Sequence, residues 1–89
     1  MIKIVKAEYI SNHQLHLTFS DGAHGNYDLA PLLARETELT KALKNLDTFK
    51  AFFLELGALC WKNGLELSPS AIYRELQSTG KLVHTQQAA

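Results

Sequence analysis

The stretch Leu15-His16-Leu17-Thr18-Phe19-Ser20-Asp21-Gly22-Ala23-His24-Gly25-Asn26-Tyr27 decides how this chain folds. Leu15, Leu17 and Phe19 alternate with His16 and Thr18, the period of two expected of a strand with one buried face. Ser20-Asp21-Gly22 is a turn signal. With three residues in the loop, Phe19 lies opposite Ala23, Leu17 opposite Gly25 and Leu15 opposite Tyr27, so every apolar side chain falls on one face. With two, Tyr27 would pair with His16 and turn outward. A slip of one residue inverts a whole face. The three-residue loop is therefore expected, a type I turn closed by a bulge with Gly22 in the left-handed region.

The same test extends upstream. With Ser11-Asn12-His13 as the loop, Val5, Ala7 and Tyr9 oppose Phe19, Leu17 and Leu15. Residues 4–10, 14–19 and 23–28 then form a three-stranded antiparallel meander. Ile2 and Ile4 point to the wrong face in this register, which calls either for a bulge or for a cover on the other face.

Downstream, Pro31 suits the first turn of a short helix that starts near Asp28 or Leu29. Leu39, Leu43 and Leu46 have helical spacing and place a second piece over 38–46. Asp47 is expected to cap a third, Thr48 to Phe52. Residues 53–62 read as a second hairpin around Gly57, and Asn63-Gly64 is a strong turn dipeptide. Ser68-Pro69 announces a last helix, from Pro69 to about Ser78, burying Ile72, Tyr73 and Leu76 and stopped by Gly80. The expected fold is α+β: a small antiparallel sheet, made of the meander plus a second hairpin, with short helices on one face. Residues 1–80 form the single domain and 81–89 a flexible C-terminal tail.

Composition narrows the function. The chain has 89 residues, nine basic and nine acidic, 46% apolar, with one cysteine. It is too short for two domains and too apolar to be disordered. Cys60 has no partner for a disulfide. The balanced charge argues against a dedicated nucleic-acid binder. No apolar run reaches the roughly 18 residues of a membrane span. The N-terminal residues lack the apolar core of a secretory signal, so a cytoplasmic location is expected.

The order Phe19-Ser20-Asp21-Gly22, Tyr27-Asp28-Leu29, Phe49, Trp61-Lys62-Asn63-Gly64, Leu67-Ser68-Pro69 and Tyr73 resembles the bacterial family called domain of unknown function 2442. That family shows a strand ending in Phe-x-Asp-Gly, a Val-Asp-Leu-like segment, a Trp-x-Asn-Gly turn and a final helix opening near a proline. The resemblance spans residues 5 to 76. Lys62 stands where the family often has proline, and Tyr27 where it often has an aliphatic residue; both suit a strand or turn. The resemblance implies a small α+β fold without an established activity. Some relatives carry a helix-turn-helix DNA-binding domain, for which this chain is too short. Others resemble a small partner encoded beside another short protein, a toxin–antitoxin-like arrangement. On this resemblance Phe19, Asp21, Gly22, Asp28, Trp61, Asn63, Gly64 and Pro69 are motif residues that determine the fold.

Each chemical reading has a structural counterpart. His16 and His24 project diagonally from the outer sheet face, at a spacing that long side chains bridge. Glu8 lies opposite His16 and Asp28 further along, so no third metal ligand converges where a protein site needs three or four. Cys60 beside Trp61 in an apolar strand reads as a small hydrophobe rather than a nucleophile. Asp21-Gly22 and Asn63-Gly64 are explained by turn chemistry. Lys41, Lys44 and Lys50 are countered by Glu36, Glu38 and Asp47 as a solvated face. Trp61 and Tyr73 are candidate interface residues, with core packing as the other reading. No phosphate loop, nucleophile elbow or zinc motif is present, and no catalytic, cofactor-binding or metal-binding residue is assigned. The expected function is non-enzymatic: a small interaction or regulatory module, an antitoxin-like partner of another protein or a homodimer. A nucleic-acid-associated regulator is the second reading. A ligand binder or small enzyme with a pocket near Trp61 is the third.

Overall fold

The computed structural model describes residues 1–84. Its elements are, in order, β1 (Ile4–Ser11), β2 (Gln14–Phe19), β3 (His24–Asp28), α1 (Ala30–Leu33), α2 (Glu38–Ala42), α3 (Leu46–Lys50), β4 (Phe53–Glu55), β5 (Ala58–Cys60), β6 (Glu66–Leu67) and α4 (Pro69–Ser78). Two antiparallel sheets result, β1-β2-β3 and β4-β5-β6, so the fold is α+β with the expected meander. The second sheet has one strand more than the hairpin read from the sequence. β6 is only two residues long, too short to show a period of its own.

The β2–β3 register is the one the apolar pattern requires: Leu15 faces Tyr27 and Leu17 faces Gly25. Phe19 donates its N–H to Ala23 O at 2.8 Å and accepts from Gly22 N–H at 2.9 Å. This closes the three-residue loop.

β1 resolves the misfit at Ile4. Ala7 faces Leu17 and Tyr9 faces Leu15, as expected, but Ile4 and not Val5 faces Phe19. The ladder is bulged between Ile4 and Lys6. One extra residue in the strand flips the alternation. Ile4 consequently falls to 2% exposed while Val5 rises to 59%. A second irregularity between Tyr9 and Ser11 shortens the first turn to Asn12-His13, with Ser11 facing Gln14; the expected three-residue loop is replaced by two residues plus a bulge.

The core is continuous across both sheets and the helices, with Leu15, Leu17, Phe19, Leu29, Leu43, Phe49, Leu59, Trp61, Ile72 and Leu76 all buried. The middle segment departs most from the sequence reading. α2 stops at Ala42, so Leu43 is buried while Leu39 and Leu46 stay substantially exposed. Asn45, not Asp47, caps α3, its side chain accepting from Thr48 N–H. These short helices are anchored by side-chain bonds to carbonyl groups. His13 Nε2 lies 2.9 Å from Leu43 O, Asn63 Nδ2 donates to Leu39 O at 2.9 Å, and Trp61 Nε1 donates to Phe49 O at 2.9 Å.

α4 begins where Ser68 Oγ accepts from Ala71 N–H, with Pro69 in the first turn, and buries Ile72 and Leu76. Lys81 and Leu82 both donate to Leu76 O at its end. The chain then returns to the sheet. Val83 and His24 exchange backbone bonds of 2.9 and 2.7 Å. Lys81–Val83 are thus held where the sequence suggested a free tail, and residues 85–89 of that tail lie outside the described residues. Among the described residues no helix is long and apolar enough to cross a membrane.

Candidate functional site

The motif residues occupy turns and joints. Phe19-Ser20-Asp21-Gly22-Ala23 and Trp61-Lys62-Asn63-Gly64-Leu65 are the same loop built twice. In each the first residue's N–H reaches the fifth residue's carbonyl and its own carbonyl accepts from the glycine N–H. In each the third residue's side-chain Oδ1 accepts from the fifth residue's N–H, at 2.9 Å for Asp21 and 3.1 Å for Asn63. Gly22 and Gly64 have φ of 88° and 99°, the conformation that closes this loop and that side chains disfavour. Asp28 Oδ1 likewise accepts from Ala30 N–H at 2.9 Å, at the start of α1.

Asp21 has a further role that no local signal announces. Its Oδ2 accepts from the Tyr73 hydroxyl at 2.6 Å, tying the β2–β3 loop to α4. This bond, with that from Ala23, holds the Asp21 carboxyl below its ordinary value, and it raises the Tyr73 phenol in return. Tyr73 also stands edge-on to Phe19, ring centroids 5.1 Å apart. Trp61 is only 3% exposed, stacked on Phe49 at 6.0 Å, with its indole N–H spent on Phe49 O. It forms part of the core. Its edge lines a hollow of about 280 Å³ with Thr48, Ala51, Lys62 and Asn63. Cys60 is buried, and that burial pushes its thiol up, away from the reactive thiolate.

His16 and His24 do meet on the outer face, ring centroids 5.1 Å apart. They line a cleft of about 440 Å³ with Gln14, Asn26, Asp28, Lys81 and Val83. His16 Nδ1 lies 2.6 Å from Asn26 Oδ1, whereas His24 Nδ1 is buried without a hydrogen-bond partner. Glu8 faces His16 across the ladder, as expected, but its carboxylate is 3.6 Å from Lys6. Among the described residues no group of three or more His, Cys, Asp or Glu could hold a metal. The basic stretch is also neutralised locally: Lys44 pairs with Glu36 at 2.6 Å, and Lys50 sits over the Tyr9 ring at 4.6 Å.

A third concavity escaped the sequence reading. Met1, Ile2 and Lys3 line a groove of about 310 Å³ together with Glu55, Leu56 and Ala58, completed by Glu66, Ser68 and Pro69. Its lip is the turn between β4 and β5, where Glu55 pairs with Ala58. Leu56 and Gly57 have φ of 52° and 84°, the mirror-image turn that favours Asn-Gly. Leucine in that conformation costs about 1–2 kcal/mol. Burial of the side chain does not offset this, because Leu56 is 91% exposed. Gly57 O accepts from Ile4 N–H at 2.9 Å and fixes the lip against the start of β1. The available signal was a leucine before Gly57, at the tip of a hairpin where a polar residue belongs.

The family model described as Protein of unknown function (DUF2442) matches residues 4–78 of the chain. No curated protein and no solved structure matches it.

Proposed function

Because the chain belongs to the DUF2442 family, described only as proteins of unknown function, its role rests on its own surface, and we propose that it is a small protein-interaction module. The observation that carries this reading is Leu56, a large apolar side chain held in an unfavourable backbone conformation and left in solvent. Strain that the fold does not need is a reason to look for function. Leu56 and Met1 are both exposed and both line one groove, so an apolar side chain inserted there would find two apolar contacts. An anchor entering a pocket between apolar lips is how protein interfaces concentrate their affinity. The flanking Lys3, Glu55 and Glu66 supply a mixed polar rim.

The partner is another small protein of the same cell, and the module acts as the antitoxin-like member of the pair. The balanced net charge, with Lys6 paired to Glu8 and Lys44 to Glu36, supports protein over nucleic acid, which calls for an excess of positive charge. The test is affinity purification of the chain from its source cell, beside the variant Leu56→Asn. Asparagine favours the turn conformation, so the variant folds at least as well. A stoichiometric partner retained by the native chain and lost by the variant supports the reading. Equal retention by both removes the groove from it, and two free monomers remove the function.

A further inference from the structure

The strand position beside β3 is only half filled. Phe19 N–H bonds Ala23 O and Leu29 N–H bonds His13 O. Leu17–Gly25 and Leu15–Tyr27 lie between these pairs in the same alternation. Gly25 and Tyr27 therefore turn their backbone groups toward β2, and His24, Asn26 and Asp28 turn theirs outward. His24 spends its outward groups on Val83. The chain returning from α4 reaches the ladder only there, because Lys81 and Leu82 are held on Leu76 O. Asn26 is exposed, and among the described residues no backbone bond reaches its outward N–H and C=O. Hollows flank this piece of edge on both faces. On the outer face His16, His24, Asn26, Asp28 and Lys81 line the cleft of about 440 Å³. On the inner face Tyr27 and Asp28 line a second hollow, of about 190 Å³, with Pro31, Leu32, Arg35 and Glu75. Asp28 belongs to both, so the strand edge runs between two open spaces.

We propose that this slot takes the C-terminal end of an extended partner peptide as an added antiparallel strand. Direction and stopping point follow from the chain already there. Val83 is bridged antiparallel to His24, and Lys81–Val83 closes the slot beyond Asn26. An antiparallel peptide enters opposite Asp28, passes Tyr27 and stops opposite Asn26, with its terminal carboxylate toward Lys81. Laid parallel, it would bring its amino terminus to Lys81, a like-charge contact. Alternation then assigns the side chains. The last residue and the third from the end share the outer face with Asn26 and Asp28, and the residue between them enters the inner hollow beside Tyr27. The third from the end is basic, because opposite charges across a ladder stabilise it and Asp28 stands opposite. The residue between is small or β-branched, because the inner hollow has less than half the volume of the outer one. Three residues of ladder and one terminal charge give a weak complex, micromolar rather than nanomolar.

The slot shares no lining residue with the Leu56 groove, so either proposal can fail without the other. The test is fluorescence anisotropy of the full chain with an N-terminally labelled hexapeptide, Gly-Gly-Gly-Lys-Val-Ala. It is used as the free acid, as its C-terminal amide, and with glutamate in place of lysine. The free acid is expected to bind, and the other two to bind roughly tenfold more weakly. Lys81→Gln should erase the preference for the free acid; Lys81 is exposed, so the variant keeps the fold. Asp28→Asn should erase the preference for lysine, and asparagine keeps the oxygen that accepts from Ala30 N–H. The backbone amide resonances of Asn26 and Asp28 should move as the peptide is added. No binding at millimolar peptide, equal binding of acid and amide, or binding that leaves the Asn26 amide unmoved would each overturn the proposal.

Discussion

Replacing Trp61 by phenylalanine tests how the middle of the chain is held. The indole N–H donates to Phe49 O over 2.9 Å in a buried setting. Phenylalanine keeps a ring against Phe49 but offers no donor, leaving a buried carbonyl unpaired at about 1–3 kcal/mol. The smaller ring also gives up apolar burial, about 1 kcal/mol at the usual value per methylene. Together the loss is about 2–4 kcal/mol. A domain of this length holds roughly 5–13 kcal/mol in total. Its melting temperature moves about 4–8 °C per kcal/mol, so a fall of about 8–32 °C is expected. The assay is thermal unfolding by circular dichroism, with urea unfolding as a second measure. A lower urea midpoint at unchanged slope marks a stability effect in a chain that still folds. A melting temperature within a few degrees of native would refute the reasoning: Trp61 would then be free to act at an interface and α3 would be held by something else.

Three further outcomes follow from other parts of the structure. Burial, with Glu75 nearby, pushes the Tyr27 phenol from 10.0 up to about 12. Its contribution is complete below pH 10 and is lost as pH rises through the folded value, because the unfolded chain releases that proton first. The urea midpoint should therefore fall between pH 10 and 12, and an ultraviolet titration should show one tyrosine of three ionising last. Gly25→Ala would drive a Cβ into Lys81 O, so amide exchange at His24 and Val83 should accelerate while the core stays protected; unchanged exchange would mean that the Lys81–Val83 segment does not clasp the sheet. Leu56→Asn should raise the melting temperature by about 2–8 °C, corresponding to about 0.5–1 kcal/mol of relieved strain. A lower melting temperature would show that Leu56 stabilises the fold.

The meander was legible because its register is over-determined: only one loop length keeps Leu15, Leu17, Phe19 and Tyr27 on one face. The bulge was visible only as a contradiction at Ile4, since periodicity detects a break without locating the extra residue. The middle helices were legible in existence but not in extent. Leu39, Leu43 and Leu46 have helical spacing, yet the helix ends after Ala42 and buries only Leu43 of the three. Asn45 and Asp47 are both acceptable caps, and tertiary anchoring chose between them. Long-range bonds such as Tyr73 to Asp21, fifty-two residues apart, leave no local trace. Neither does β6, nor the pairing of Val83 with His24. The two candidate interface residues divided accordingly. Trp61 lies in the core, and Tyr73 is engaged by Asp21. The groove at Leu56 was missed because exposure cannot be read from a leucine in an apolar run.

The reading of this protein as an interaction module is tested most directly by the mass of the native complex. The chain and its Leu56→Asn variant, expressed at natural level in the source cell and purified under identical conditions, would be weighed by native mass spectrometry. The account predicts the native chain bound to a second small protein in fixed ratio, and the variant, equally folded, without it. A native chain recovered only as itself would contradict it, and a variant that keeps the same partner in the same ratio would take the Leu56 groove out of the account.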